Sequence, residues 1–285
     1  MTRYAEVIGD PIGHSKSPII HGHWLKTLGI EGDYRATRVA PSGLRSYLES
    51  RRADPDWRGC NVTIPHKEQV GELIDQVAEN AAAIGAVNCV VREGDRLVGY
   101  NSDVNGIAAA LGAKPLGSRH VAIIGAGGAA RAMLAYLSAR SPATVAVLAR
   151  DPGKAEGLRS VADGLDLRLA PLDQAEDALE GAALIVNASP MGMLASPPMP
   201  AALLDAVERH AKGTILFDMV YQPLETEMLR RGAAAGGEPV GGLTMLIGQA
   251  RSAFERFFRA EPPSDPTLQD LLTAPATFEP STRTA

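Results

Sequence analysis

Short apolar runs alternate with amphipathic stretches along most of the chain, a pattern typical of an α/β protein. Val121–Ile124 is apolar and rich in β-branched residues, which predicts a buried strand of a parallel sheet. Met133, Leu134 and Leu137 follow at helical spacing and predict an amphipathic helix. Comparable patterns predict strands within 4–9, 33–39, 61–64, 85–92, 96–103, 144–151, 183–192 and 214–223. They also predict helices over 18–28, 42–51 and 67–83, and a last helix that ends at 258.

The turn between the strand at 121–124 and its helix has the spacing G-x-G-x-x-A, formed by Gly125, Gly127 and Ala130. Gly125 allows a tight turn, Gly127 lets a pyrophosphate approach the backbone, and Ala130 lets the helix pack closely on the strand. The helix N-terminus would face the phosphates. A strand–turn–helix context therefore predicts a dinucleotide site formed by Gly125, Ala126, Gly127, Gly128, Ala129 and Ala130.

The end of the next strand, at 144–151, bears on the choice of dinucleotide. An acidic residue there favours the ribose hydroxyls of NAD, and an arginine favours the phosphate of NADP. The chain has both, Arg150 and Asp151, with Lys154 close behind. Two cations against one anion predict NADP (NADPH) as the cofactor, with NAD or dual use as the alternative.

Composition and charge exclude several classes of protein. A chain of 285 residues exceeds one comfortable core and predicts two domains. The net charge of -5 and the lack of a Lys/Arg block argue against nucleic-acid binding. No signal peptide, membrane-length apolar run, disulfide framework or metal-ligand spacing is present, so we expect a cytoplasmic, metal-free protein without membrane contact. The oligomeric state stays open, a homodimer being one option.

Hydroxyl-bearing residues precede the first predicted helix in the loop 9–18. Ser17 stands directly before Pro18, so the plain interpretation is a helix N-cap. Ser15, Lys16 and Ser17 together would also form a small anion site suited to a carboxylate. Both interpretations are open from these residues alone.

Polar residues also gather where the strand at 61–64 ends. Asn61, Thr63 and Lys67 lie there, and ligands of open α/β sheets bind at strand ends. A single surface lysine is usually only solvated. Asp103 follows another strand, and by itself it would be interpreted as the cap of a helix that starts near Val104.

Four motifs occur in order before the G-A-G-G-A-A turn: G-D-P-I-G-H-S-K-S-P at 9–18, N-V-T-I-P-H-K at 61–67, G-A-V-N at 85–88 and N-S-D at 101–103. With them the chain resembles the shikimate dehydrogenase family from about residue 4 to residue 258. The resemblance implies NADPH-dependent, reversible reduction of 3-dehydroshikimate to shikimate, a step of chorismate and aromatic amino-acid biosynthesis.

The resemblance also implies roles for individual residues. Ser15 and Ser17 would hold the substrate carboxylate, and Lys67 and Asp103 would be the catalytic pair at the reacting hydroxyl. Other substrate-binding residues would be Asn61, Thr63, Asn88, Tyr221 and Gln249, and other cofactor-binding residues would be Asn187, Met191, Val220, Gly242 and Met245.

The chemistry requires these residue types. When a ketone carbon receives hydride, its oxygen must gain a proton, and an ammonium within hydrogen-bond reach can supply it. Asp103 beside Lys67 would favour the charged lysine, which suits reduction. Oxidation needs the neutral amine, so we expect it to improve at alkaline pH.

The predicted fold is two α/β domains with the active site in the cleft between them. Residues 1–103, completed by C-terminal helices within 239–285, would form a substrate-binding sheet domain, and residues 104–238 a Rossmann-type doubly wound domain. Gly106 and Gly241 are candidate hinges, and the last dozen residues are predicted to be disordered. Two alternatives remain: a non-catalytic dinucleotide sensor, and an enzyme of the same class acting on quinate or an amino analogue.

Overall fold

The structure is a computed structural model that describes residues 2–13, 15–194 and 196–273. Its N-terminal part is built on a six-stranded sheet with the strand order β2-β1-β3-β5-β6-β4. The strands are β1 (Tyr4–Gly9), β2 (Asp33–Arg38), β3 (Trp57–Val62), β4 (Gln76–Val77), β5 (Cys89–Glu93) and β6 (Arg96–Tyr100), and the helices between them are α1 (Ser17–Leu28), α2 (Leu44–Arg52) and α3 (Glu79–Ile84).

Helix α4 (Asp103–Leu111) leads into a second six-stranded sheet, in which every neighbouring pair of strands is parallel. The strands are β7 (His120–Ile124), β8 (Thr144–Ala149), β9 (Leu167–Pro171), β10 (Ala182–Asn187), β11 (Ile215–Asp218) and β12 (Glu238–Gly241). The helices that connect them are α5 (Gly128–Ser138), α6 (Pro152–Ala155), α7 (Ala175–Leu179), α8 (Ala201–Arg209) and α9 (Glu227–Ala234).

The second sheet has the order β12-β11-β10-β7-β8-β9, which is the doubly wound order of a dinucleotide-binding fold. The strand order reverses between β7 and β10, and the crevice of such a sheet opens at this point. Val121 and Ile123 of β7 are fully buried beneath the surrounding helices, as the apolar run predicts for a central parallel strand.

Helix α10 (Gly242–Phe258) returns from the second sheet to the first, and α11 (Thr267–Thr273) follows it. The aromatic rings of Trp24 on α1 and Phe254 on α10 pack edge to face with centroids 5.4 Å apart. Helix α10 also crosses α4 so closely that a Cβ on Gly106 would lie 2.5 Å from the carbonyl oxygen of Met245. This crossing brings the start of α4 and the middle of α10 together.

Two local expectations were wrong. Residues 67–83 do not form one helix: a 3-10 turn at Val70–Leu73 leads into β4, because the Asp75 carboxylate accepts the Leu97 amide (2.7 Å) and draws the segment onto β6. Ser17 is the first helical residue of α1 rather than its N-cap. Gly106, a candidate hinge, lies within α4.

Two further observations concern membrane-spanning helices and the end of the chain. No helix within 2–13, 15–194 and 196–273 is long and apolar enough to cross a membrane. The last dozen residues, 274–285, lie outside the described residues.

Candidate active site

Lys67 and Asp103 form an ion pair at the edge of the first sheet. Lys67 follows β3, and Asp103 is the first residue of α4. The Lys67 Nζ donates to Asp103 Oδ2 at 2.6 Å, and the side chains are 17% and 1% exposed. The carboxylate is therefore buried beneath the ammonium, and the ammonium remains the more accessible partner.

The Asn88 amide joins this pair to α10. Its Nδ2 lies 2.8 Å from Asp103 Oδ1, 3.1 Å from Ser102 Oγ and 3.1 Å from Gln249 Oε1, while its Oδ1 accepts the Ser102 amide at 2.8 Å. An NH2 group has two protons for these three oxygens. The Gln249 side chain can therefore turn toward a bound molecule without leaving the buried Asn88 unsatisfied.

Asn61 and Thr63 lie at the same edge. Asn61 Nδ2 is 3.4 Å from the Asn88 carbonyl oxygen, and Asn61 Oδ1 accepts the Tyr34 hydroxyl at 2.6 Å. The Thr63 amide donates to the Ile8 carbonyl oxygen at 2.9 Å, which places this residue directly beyond β1 and β3. Asn88 thus contacts the ion pair directly, Asn61 and Gln249 contact Asn88, and Thr63 lies at the end of the same strand as Asn61.

Ser15, Ser17 and Tyr221 gather at the start of α1. The Ser17 amide donates to Ser15 Oγ at 3.3 Å. Burial raises the pKa of Tyr221, and hydrogen bonds with Ser15 and the Lys16 backbone partly offset this rise. The Lys16 ammonium donates to the carbonyl of Leu272 on α11 in this structure.

The glycine turn after β7 has the geometry that a pyrophosphate requires. Gly125 has a φ of +113°, and a Cβ there would lie 3.0 Å from the Ala188 carbonyl carbon. Apart from its chain neighbours, no atom of the described residues lies within 4 Å of the position that a Cβ on Gly127 would occupy, so the space beside this turn is open. No described side chain caps α5, and the first-turn amides of Gly128, Ala129 and Ala130 are available to an anion. The residues present therefore fit a dinucleotide.

The ion pair and the glycine turn are neighbours. A Cβ on Gly128, the first residue of α5, would lie 3.3 Å from Lys67 Cδ, so the lysine stem passes over the start of α5. A molecule bound at this turn would consequently lie next to the ammonium that also faces the polar residues of the first sheet.

The residues after β8 have a different arrangement from the one predicted. The Asp151 carboxylate caps α6 by accepting the amides of Gly153 (3.1 Å) and Lys154 (3.3 Å). The Lys154 ammonium lies 3.7 Å from Asp151 Oδ2, although its side chain is 88% exposed. Arg150 is exposed and makes no ion pair within the part of the chain that the structure describes.

Asn187 and Val220 both donate hydrogen bonds to Asp218, a residue that the sequence did not point to. Asn187 Nδ2 donates to Asp218 Oδ1 (2.9 Å) and to the Met191 carbonyl oxygen (3.0 Å), and the Val220 amide donates to Asp218 Oδ1 (3.0 Å). Burial raises the Asp218 pKa from 3.8 to about 6. Asp218 therefore holds the loops after β10 and β11, a role that its position as the last residue of a buried strand could have indicated.

Gly242 and Met245 begin α10 beside these loops. A Cβ on Gly242 would lie 2.5 Å from the Met219 carbonyl oxygen, so only glycine fits this approach. Met245 is 7% exposed and packs on Gly106 of α4. Both residues therefore lie between the two sheets, where the glycine turn approaches the polar residues of the first sheet.

Together, a doubly wound sheet, an open glycine turn and a lysine–carboxylate pair beside it define a dinucleotide-dependent oxidoreductase. Residues 7–90 match the family model described as shikimate dehydrogenase substrate binding domain, and residues 108–219 match the one described as shikimate / quinate 5-dehydrogenase. The chain belongs to the shikimate dehydrogenase family.

Relatives and solved structures agree with this assignment. The chain is 46% identical over 274 residues to the shikimate dehydrogenase (NADP(+)) of Sphingopyxis alaskensis, covering 95% of this chain and 97% of the relative. It is similar to a shikimate dehydrogenase crystallised with NADP+ (TM-score 0.84, 30% identity, 96% of each chain). It is also similar to the Thermus thermophilus shikimate 5-dehydrogenase crystallised with NADP(H) and shikimate (TM-score 0.77, 34% identity, 95% of this chain and 98% of that one).

Proposed function

We propose that this chain catalyses the reversible, NADP-dependent reduction of 3-dehydroshikimate to shikimate. The observation that supports this most strongly is the position of Lys67. Its ammonium pairs with Asp103 at 2.6 Å, and its stem passes over Gly128, the first residue of the helix that follows the glycine turn. A sensor that only bound a dinucleotide would not need an ion pair between the glycine turn and the polar residues of the first sheet.

NADPH, when bound, supplies hydride from its nicotinamide, and NADP+ accepts it in the reverse direction. In reduction, Lys67 donates a proton to the ketone oxygen as that oxygen gains the electron pair of the carbonyl bond. In oxidation, the neutral Lys67 amine takes the hydroxyl proton. Asp103 keeps the ammonium in place, and the hydrogen bond from Asn88 (2.8 Å) fixes the Asp103 carboxylate.

Two groups of polar residues orient the substrate in this proposal. Ser15, Ser17 and Tyr221 bind its carboxylate with hydroxyl donors. Hydroxyl groups of the ring meet the residues around the ion pair, which are Asn61, Thr63, Asn88 and Gln249. Two observations support this division: the hydroxyl-rich group lies at the start of α1, and the amides connect through Asn88 to Asp103, the partner of Lys67.

On the cofactor side, Gly125 to Ala130 hold the pyrophosphate, and Arg150 with Lys154 meets the adenosine phosphate. The loops that carry Asn187, Met191 and Val220 lie beside the nicotinamide half, together with Gly242 and Met245. The buried Asn187 amide is used within the protein, so its role in this proposal is to shape the loop.

Initial rates of oxidation test the proposal: shikimate and quinate, each with NADP+ and NAD+, under one set of conditions. We expect shikimate with NADP+ to give the highest kcat/KM. If turnover were highest with quinate or NAD+, the proposed mechanism would stand and the assigned substrate or cofactor would change. Tight NADPH binding without turnover of either substrate would favour the dinucleotide sensor and contradict the proposal.

Residues 1–103 with the C-terminal helices as the substrate domain, and 104–238 as the cofactor domain, remain our proposed division of the chain. A cytoplasmic location and a homodimer are also part of the proposal. Cell fractionation tests the location, and analytical ultracentrifugation tests the oligomeric state.

A further inference from the structure

The Tyr34 side chain reaches Asn61, a residue of the proposed substrate site, across a strand of the first sheet. It lies on β2, opposite Ala5 of β1, and is 5% exposed. Asn61 lies on β3, on the other side of β1. Because Ala5 is small, the Tyr34 ring can extend across β1, and its hydroxyl donates to Asn61 Oδ1 at 2.6 Å.

This hydrogen bond determines which end of the Asn61 amide faces the cleft. A phenol that donates must meet the amide oxygen, so the NH2 group points away from Tyr34. That NH2 lies 3.4 Å from the Asn88 carbonyl oxygen, at the limit of a hydrogen bond. It is therefore still available as a donor to an oxygen of a bound molecule.

The Tyr34 ring is itself held firmly. His21 of α1 stacks on it with ring centroids 3.9 Å apart and planes 4° apart. His21 is fully buried, and neither ring nitrogen has a hydrogen-bond partner among the described residues. Burial lowers the His21 pKa to about 3 and raises that of Tyr34, so the stack is uncharged and the phenol keeps its proton.

We propose that Tyr34 is a positioning residue, which through its hydroxyl holds Asn61 with the amide NH2 toward the substrate, while His21 holds the Tyr34 ring. The inference rests on the proposed function, because it assigns Asn61 a ring hydroxyl of shikimate. Without the phenol, only the 3.4 Å contact between the NH2 group and the Asn88 carbonyl oxygen orients the amide, so its orientation is held less firmly.

Tyr34→Phe tests this because it deletes the hydroxyl and keeps the ring that stacks on His21. One hydrogen bond contributes about three- to tenfold in equilibrium terms, so we expect KM for shikimate to rise by about that factor. The kcat and the Kd of NADPH should change little. Tyr47→Phe is the matched control: the Tyr47 hydroxyl donates to Glu6 Oε2 (2.7 Å), and its side chain packs in the separate cluster on the other face of the first sheet. This control should lose stability and keep the wild-type KM.

Two further variants separate positioning from general destabilisation. In an Asn61→Ala background, Tyr34→Phe should raise KM by less than it does in the wild type, because Asn61 is absent and only the contact of the hydroxyl with Ser17 remains to be lost. Asn61→Asp leaves Tyr34 untouched, keeps an acceptor for its hydroxyl and removes the donor, so KM should rise as in Asn61→Ala. Additive effects of Tyr34→Phe and Asn61→Ala, or a wild-type KM in Asn61→Asp, would overturn the positioning role. Lack of shikimate turnover by the wild-type enzyme would instead refute the proposed function itself.

Discussion

The crossing of α4 and α10 leads to a specific prediction, because it joins two halves of the proposed active site. Asp103 is on α4 and Gln249 is on α10, and the helices touch at Gly106. A methyl group on Gly106 would lie 2.5 Å from the Met245 carbonyl oxygen and 3.2 Å from Gln249 Cβ. An ordinary contact needs at least about 3.4 Å, so Gly106→Ala must separate the helices by close to 1 Å.

The expected result is a loss of both stability and activity. Overpacking of this kind costs about 1–3 kcal/mol. A displacement of about 1 Å near the chemistry can lower turnover by up to about 100-fold. The hydrogen bond from Asn88 to Gln249, now 3.1 Å, would be stretched beyond hydrogen-bonding distance. Chemical denaturation and kcat/KM for shikimate measure the two effects.

Gly22 offers a matched control, since it is also a helical glycine. Among the described residues outside the α1 backbone and the chain neighbours of Gly22, no atom lies within 4 Å of the position of its added Cβ. Gly22→Ala should therefore stabilise α1 by about 0.5–1 kcal/mol and leave kcat/KM unchanged. If Gly106→Ala behaved like Gly22→Ala in both assays, the tight crossing would not be a determinant of the site.

Two other predictions concern charged groups. The Asp218 pKa is raised from 3.8 to about 6, so its protonated form is favoured in the folded state and stability is lost as the pH rises through this window. Wild type should lose about 2 kcal/mol relative to Asp218→Asn between about pH 4 and about pH 6 in urea unfolding, and parallel profiles would contradict this. Asp151→Asn keeps the cap on α6 and removes a negative charge beside Arg150, so NADPH should bind about two- to fivefold tighter relative to NADH by fluorescence titration. Arg150→Gln should shift the ratio the other way, and an unchanged ratio in both variants would show that these charges do not set the preference.

The parts of the fold that the sequence predicts well are those with local signals. The turn at Gly125 to Ala130 needs only a strand, a helix and three small residues at fixed spacing, and the structure has all of them. The family, the two-domain α/β fold and NADP as the cofactor were likewise predicted correctly.

The remainder depends on contacts between distant segments. The helix predicted over 67–83 is interrupted by β4 and begins only with α3, because pairing with β6 and the Asp75 contact outweigh local helix propensity. Asp218 is an ordinary aspartate in the sequence, and its raised pKa comes from burial in the assembled sheet. Tyr34 carries no motif, since its partner Asn61 lies on a strand that is not its neighbour.

The central claim, that Lys67 is the proton donor and acceptor, is tested most directly by Lys67→Met. This variant keeps the apolar stem over α5 and removes the ammonium. The measurement is kcat for shikimate oxidation together with the Kd of NADPH, with Lys26→Met, an exposed lysine of α1, as the control. We predict that kcat falls by about 100-fold or more while the Kd of NADPH stays within about twofold. A Lys67→Met enzyme that kept wild-type kcat would contradict the account.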